Sequence, residues 1–462
     1  MRNLLLISVI VLHLISCQTS KKIEDIVVIG GGLMGSSTAW ELSKYGQNVV
    51  LLEQQDSVYT FGSSFGEARI SRSLGSKDDM FSFLQQTSVK ETKGLIAYLN
   101  EGESNVLYSM EDIYRTSPVT YIYSTSQLHE VEALLDGQLD TYEYASTREE
   151  AAKKFGMKIS DTTLVIREYK KYTGTLNPKV LIKKLHQAIR KSGNSVSYNQ
   201  KVTSLIKEDG IHKIEITDTK TGKTKTILSK KVVAAAGPYN GTLVKDIAPY
   251  FKDLISPKRL FLSFLKIKPD RYDRLASEQK NRLVSSYPVA YLNSEIFYSM
   301  IEKFDSDQRP LLKVGGHFLR TEIKDLDKVW AMQLTEQEIQ WSKENTADYL
   351  AKLDVPITFS DLEFDQGYSC VYSLTESEIP YVTHALKNGT EIDSSFVLVG
   401  GMSGIGAKGS LAYGLIAADL LLDKENNSFM YGKAKTALGS QRLIEDVQNI
   451  EKKNINVKIG NE

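Results

Sequence analysis

The chain is 462 residues long and carries 57 basic and 57 acidic side chains, for no formal net charge. A hydrophobic share of 41% with 25% charged residues is globular composition, enough for two or three domains and incompatible with wholesale disorder. The balanced charge lacks the basic excess of nucleic-acid-binding proteins, and two cysteines provide neither a disulfide framework nor a cysteine-rich zinc site.

Met1 to Cys17 reads MRNLLLISVIVLHLISC. Arg2 precedes twelve largely apolar residues, Leu4 to Ile15. A bilayer core of ~30 Å takes ~20 residues of helix, so this stretch is too short to span it. An apolar stretch behind a charged start predicts an export signal over residues 1–16. Leu14-Ile15-Ser16-Cys17 resembles the box of bacterial lipoproteins, whose cysteine is lipidated and becomes the mature N-terminus. That likeness implies a membrane anchor at Cys17 in a bacterial cell envelope, with residues 17–22 as a polar tether. No twin arginine marks export of a folded chain, so either any cofactor is supplied outside the cytoplasm or the signal reading does not hold.

Ile26 to Gly30 (IVVIG) predicts a buried parallel strand, Leu33 to Tyr45 a helix closed by Gly46, and Asn48 to Glu53 a second buried strand. A polar loop over Gln54 to Gly66 leads into mixed helical sequence to about Glu103. Short strand-like runs follow between Val106 and Glu143, then helices over Thr147 to Phe155 and Asn177 to Lys191. Ser195 to Ile206, Ile211 to Thr217 and Lys231 to Ala236 read as strands, the last halted by Gly237-Pro238. Leu260 to Lys268 and Leu311 to His317 predict a separate antiparallel sheet. Phe396 to Gly401 is the last buried strand and Ser410 to Leu422 the helix after it; the polar stretch beyond about Asp446 is expected to fray.

Gly30-Gly31-Gly32-Leu33-Met34-Gly35 supplies G-x-G-x-x-G between the first strand and its helix. Gly30 permits the tight turn, Gly32 lets the backbone approach a pyrophosphate, and Gly35 allows close helix–strand packing. The helix start offers unpaired N–H groups to phosphate. Glu53, ending the second strand 18 residues after Gly35, can accept from ribose hydroxyls. This unit predicts a dinucleotide site, leaves FAD and NAD open, and disfavours NADP.

Phe61 to Ser73 (FGSSFGEARISRS), Cys370 in GYSCVYSLTESEIP and Gly400 to Ser410 (GGMSGIGAKGS) together resemble the monomeric sarcosine oxidase group of flavoprotein amine oxidases. The group lies within the D-amino-acid-oxidase-like superfamily, and matching order and spacing run from about Ile23 to Leu422. The resemblance implies FAD as cofactor and oxidation of a secondary amino acid to an imine with release of hydrogen peroxide. It assigns Cys370 to a thioether with the flavin 8α-methyl, a bond for which thiolate chemistry is suited. It assigns Arg72 and Lys408 to the substrate carboxylate, where an arginine fork and a lysine point charge are complementary. Arg69 is placed against the flavin, on the same face as Arg72 if the segment is helical. Lys313, in LLKVGGH, matches the lysine over the flavin that activates oxygen, and His317 a pocket histidine. Tyr372, two residues from Cys370 on an extended segment, would face the same side and matches a pocket tyrosine. Ser63, Val202 beside adenine, Gly237 under the flavin, and Gly404 and Gly406 ahead of the Ser410 helix complete the implied cofactor site.

Three positions depart from the group's pattern: Phe65 and Ile405 replace histidines and Ala407 a phenylalanine. They leave FAD binding intact and set sarcosine itself in question, since Ala407 gives room for a bulkier N-alkyl amino acid or a cyclic imino acid.

The fold expected is α/β plus α+β: a Rossmann-type FAD-binding domain over 23–105, 166–243 and 372–425, and a mixed-sheet substrate domain over 106–165 and 244–371. Residues 426–462 are expected to form a tail. The activity expected is that of an FAD-dependent amine oxidase acting on a small amino acid and O2, as a monomer without nucleic acid or metal. A membrane-anchored dehydrogenase feeding a quinone or carrier, and a non-catalytic lipoprotein binding module, are the alternatives.

Overall fold

A computed structural model describes residues 22–74, 79–103, 105–135, 141–292 and 295–459, so the expected signal and Cys17 lie outside the described residues. The apolar strand Ile23–Ile29 lies between two parallel neighbours, Val49–Leu52 and Thr224–Ala234. Ser195–Ser197 extends the sheet beyond Val49–Leu52, and Glu391–Gly400 pairs in parallel with the other side of Thr224–Ala234. Tyr381–Lys387 adds an antiparallel edge, and the meander Gln200–Glu208 and Ile211–Asp218 joins the lower part of Thr224–Ala234. Such strands are continuously apolar because both faces are covered. The helices Leu33–Lys44, Pro178–Lys191 and Ser410–Leu421 pack on one face around Trp40, Leu185 and Ile416.

The other face is closed in part by the chain's C-terminal end, which corrects the expected tail. Residues beyond Asp446 continue the helix Ser440–Ile459, and Leu443 and Val447 are buried against the sheet with Val27, Ile214 and Phe396. Ahead of it the helix Phe429–Leu438 buries Tyr431, Ala434 and Leu438. Polar composition concealed an apolar stripe at i, i+4 spacing.

The second sheet has nine strands. Its spine, Ser256–Ile267, runs antiparallel to Leu362–Leu374 on one side and to Pro310–Gly315 on the other. Tyr298–Phe304, Val289–Tyr291, Val119–Ser124, Thr163–Glu168 and Tyr142–Ala145 follow in order. Alternation divides its residues: Phe261, Leu265, Leu312 and Val314 lie under the helix Glu336–Lys352 with Trp341 and Tyr349. The opposite face presents Leu262, Tyr298, Met300, Lys313, Cys370 and Tyr372 to a cavity shared with the first sheet. Thr163–Glu168 and Leu362–Leu374 both run unbroken in this sheet, so the expected boundaries at 165/166 and 371/372 fall inside strands. The chain crosses to the first sheet only after Glu168 and Leu374.

A third, small sheet orders Arg69–Ser71, Gly174–Leu176 and Tyr114–Thr116. Arg69 is therefore extended and shares no helical face with Arg72. Spacing of three suits a helix or a loop-bound strand alike, and pairing with Gly174–Leu176 decides for the strand.

Candidate active site

The fingerprint turn is built by what its glycines lack. Gly30 has φ +102°, and a Cβ there would lie 2.5 Å from Ala235 O. A Cβ on Gly35 would collide with Gly30 O, so the helix can lie on its own entry turn only without a side chain there. Gly32 occupies the N-cap position with no side chain to cap the helix; the Leu33 N–H donates to Ser64 Oγ at 3.2 Å, and Gly32, Leu33 and Met34 line the cavity. Glu53 is buried; its Oε2 accepts from Gly31 N–H at 2.7 Å and its Oε1 from Gln55 N–H at 2.8 Å. Burial pushes the Glu53 carboxyl up, and these amides hold it down. Glu53 also lines the cavity, where its carboxylate can accept from a ribose hydroxyl.

One cavity of about 590 Å³ begins at this turn and reaches the face of the second sheet. Gly30, Gly32, Glu53, Ser63, Val202 and Gly237 line it from the dinucleotide side. Arg69, Arg72, Lys313, His317, Cys370, Tyr372, Gly404, Gly406 and Lys408 line the same space. Of the sequence-predicted site residues, Gly35 alone is outside the lining, where its role is packing. A helix start at the cavity edge, a glycine cradle and a buried carboxylate at the second strand's end fit the pyrophosphate and ribose of FAD.

Arg69, Arg72, Lys313 and Lys408 are among the cations that line the cavity. Arg69 clasps its own loop, donating to Ser63 O at 3.1 Å, to Ala68 O at 2.9 Å and to Phe65 O. Lys313 is wholly buried; its Nζ donates to Ala68 O at 3.1 Å and to Glu302 Oε2 at 3.0 Å. Burial, and then Arg69, bring the Lys313 ammonium down to about 7 against the pull of Glu302. Arg72 donates to Leu74 O at 2.8 Å and stands 5.6 Å from the Tyr121 ring. Burial and the Arg72 charge hold Lys408 well below the usual lysine range, with Glu168 opposing.

Tyr372 and Tyr298 place their hydroxyls 3.1 Å apart, and the His317 ring meets Tyr372 edge-on at 6.1 Å. Gly404, with φ +79°, lets the 400–408 turn rest on the Tyr372 ring, where a Cβ would lie 2.6 Å from Cζ. The Cys370 thiol is buried and pushed up by desolvation, while Arg69 and Lys313 draw it down. Phe65 stacks edge-on against Tyr368 at 5.1 Å, and Ile405 and Ala407 both line the cavity.

Three residues of this site escaped the sequence reading. Glu302 was hidden by a β-bulge: the register of Tyr298–Phe304 shifts between Ile301 and Lys303, so alternation along the strand does not assign its face. Glu168 carried no signal; it is fully buried and accepts from Ser73 N–H at 3.1 Å, Ser73 Oγ at 2.5 Å and Tyr121 Oη. Tyr298 is found only through its partner Tyr372, on a strand far away in sequence.

Among the described residues no group of three or more histidine, cysteine, aspartate or glutamate side chains could hold a metal ion. Comparison with known proteins agrees with the geometry. A probable sarcosine oxidase of Arabidopsis thaliana is 26% identical over 413 residues, covering 87% of this chain and 88% of the relative. The solved structure of NikD, an amino acid oxidase essential for nikkomycin biosynthesis, superimposes with a TM-score of 0.66 at 16% identity, over 90% of this chain and 97% of its own. Glycine oxidase from Geobacillus kaustophilus gives 0.61 at 16% identity, over 87% and 95%. The two structures, at these identities, show a shared fold. The family model for FAD-dependent oxidoreductases of the DAO type matches residues 25–420, nearly the whole described chain, and this protein belongs to that family.

Proposed function

We propose that the chain oxidises a secondary amino acid, N-alkylated or cyclic, at its carbon–nitrogen bond, releasing an imine that water hydrolyses and delivering the electron pair to O2 as hydrogen peroxide. The observation that carries this reading is a single cavity joining the Gly30–Gly32 cradle to the cation pair Arg72 and Lys408. FAD, when bound, supplies the two-electron acceptor for this chemistry. Gly30, Gly32 and Glu53 would hold its pyrophosphate and ribose, Val202 its adenine, and Ser63, Arg69, Gly237, Gly404 and Gly406 its ring system. Cys370 would carry the covalent link.

Arg72 and Lys408 take the substrate carboxylate, the arginine as a fork and the lysine as a point charge. An incoming carboxylate favours the protonated form of Lys408; with Glu168 behind, the three groups then carry one net positive charge, matched to one carboxylate. The Tyr298–Tyr372 pair and His317 wall the space beside it and exclude water. Ala407 leaves room for a substituent on nitrogen. Lys313 presents a cation to oxygen as it takes on negative charge. We further propose that Cys17 bears a lipid anchor that places the enzyme in a bacterial cell envelope.

The test is anaerobic mixing of the flavin-loaded protein with short N-methyl amino acids and proline-like imino acids. Loss of flavin colour, and peroxide on admitting oxygen, is the expected result. A flavin that no amino acid reduces overturns the reading; one that is reduced but inert to oxygen replaces O2 by a quinone or carrier.

A further inference from the structure

Glu302 lies two residues beyond Met300, the direct cross-strand neighbour of Lys313, at a β-bulge where the register shifts between Ile301 and Lys303. Its Oε2 is 3.0 Å from Lys313 Nζ, with the lysine side chain 0% and the glutamate 6% exposed. Its Oε1 accepts from the Glu67 N–H at 2.7 Å, so the carboxylate is fixed at both oxygens. Ala68 O holds the ammonium from a second side at 3.1 Å. Lys313 lines the cavity and Glu302 does not. The pair is thus a fixed dipole with its positive end toward the reacting space.

From this arrangement we infer that Glu302 is a positioning residue that holds the Lys313 ammonium charged and aimed at the cavity, and so sets the pH range over which the enzyme reduces oxygen. The inference rests on the oxidase reading for what Lys313 does.

The groups facing Lys313 come from every neighbouring element. Arg69 approaches from the strand Arg69–Ser71, Cys370 and Tyr368 from Leu362–Leu374, and the Phe264 ring lies 5.5 Å below from Ser256–Ile267. Arg115 acts on Glu302 from Tyr114–Thr116 and donates to Ile301 O. Among the described residues Glu302 is the one ion-pair partner of Lys313. Burial and Arg69 favour the neutral amine; Glu302 favours the ammonium. With a midpoint of about 7 the charge is present below neutrality and lost above it. Without the carboxylate that midpoint moves down, and the cation is missing at neutral pH. A close opposite charge is worth ~1–3 pH units.

The experiment uses flavin-loaded wild type, Glu302→Gln, Glu302→Asp and Lys313→Met. Two quantities are followed against pH: the midpoint potential of the bound flavin, and the rate of reoxidation by oxygen after photoreduction. Wild type should show a break in both profiles that Lys313→Met abolishes. Glu302→Gln should move the break down by about one unit or more and slow reoxidation at pH 8 by about tenfold or more. Glu302→Asp should restore much of the wild-type profile. A break unmoved in both Glu302→Gln and Glu302→Asp overturns the inference, as does faster reoxidation in Glu302→Gln, which would mean that the carboxylate damps the charge. If wild type is inert to oxygen, the oxidase reading falls, while the potential profile alone still decides the role of Glu302.

Discussion

Replacing Lys313 by methionine should slow the oxygen half-reaction while sparing reduction by substrate. A unit charge ~4 Å from a developing anion is worth ~4 kcal/mol at an effective dielectric of about 20. Two features of the site reduce that figure. The Glu302 carboxylate stands 3.0 Å behind the ammonium, and a midpoint of about 7 leaves part of the population neutral at pH 7. The net loss expected is reduced to ~2.7 kcal/mol, or ~10² in the rate of reoxidation. Methionine preserves length and apolar contact with Phe264, and Glu302 keeps the hydrogen bond from Glu67 N–H, so the fold survives. Arg72→Ala should act in the opposite sense: with the carboxylate clamp gone, positioning is lost and the reductive step slows. Stopped-flow absorbance of the flavin separates the two halves, using any amine that bleaches it. Reoxidation unchanged in Lys313→Met would refute the electrostatic argument.

Cys370→Ala should release the flavin from the denatured chain; a fluorescent band that persists on a denaturing gel in the variant, or is missing in wild type, speaks against the covalent link. Cys17→Ser should move the protein from the membrane to the soluble fraction, since acyl chains at ~0.8 kcal/mol per buried CH₂ hold the wild type firmly. Gly35→Ala, whose new methyl meets Gly30 O, should abolish FAD-dependent thermal stabilisation, and normal flavin retention in this variant would contradict the packing described. Ala407→Phe should reduce kcat/KM for bulky or cyclic substrates about tenfold or more while sparing the smallest N-methyl amino acids, as the loss or gain of pocket volume is worth ~1–3 kcal/mol.

The parts of this architecture that depend on short-range constraints were legible in the chain. The fingerprint needs its glycines within one turn, and Cys370 and Tyr372 share a face through alternation alone. What depends on partners from elsewhere was not. Arg69 became a strand residue because Gly174–Leu176 offers it a ladder. Leu443 and Val447 gained their meaning from the sheet face waiting for them, in a stretch whose polar residues suggested fraying. Glu302 and Glu168 are charged side chains that a linear reading assigns to solvent, and each is buried because a distant cation or hydroxyl faces it. Substitution at Phe65, Ile405 and Ala407 was visible at once, but that Phe65 packs on Tyr368 while the other two line the cavity required the folded arrangement.

The order of strands in the first sheet governs how the chain can be made. Ile23–Ile29 finds one partner almost immediately in Val49–Leu52, but its other partner, Thr224–Ala234, emerges near mid-chain, and the strand beyond that, Glu391–Gly400, close to the end. Parallel pairings between remote segments form slowly, because loop closure must precede any gain from contact. A growing chain therefore holds an unfinished sheet until almost its whole length is synthesised. The turn over 401–408 completes the cavity at the same late moment. Cofactor capture is then an event of the finished polypeptide, and FAD acts as a ligand that draws folding to completion, adding ~2.7 kcal/mol when present at a hundredfold its dissociation constant.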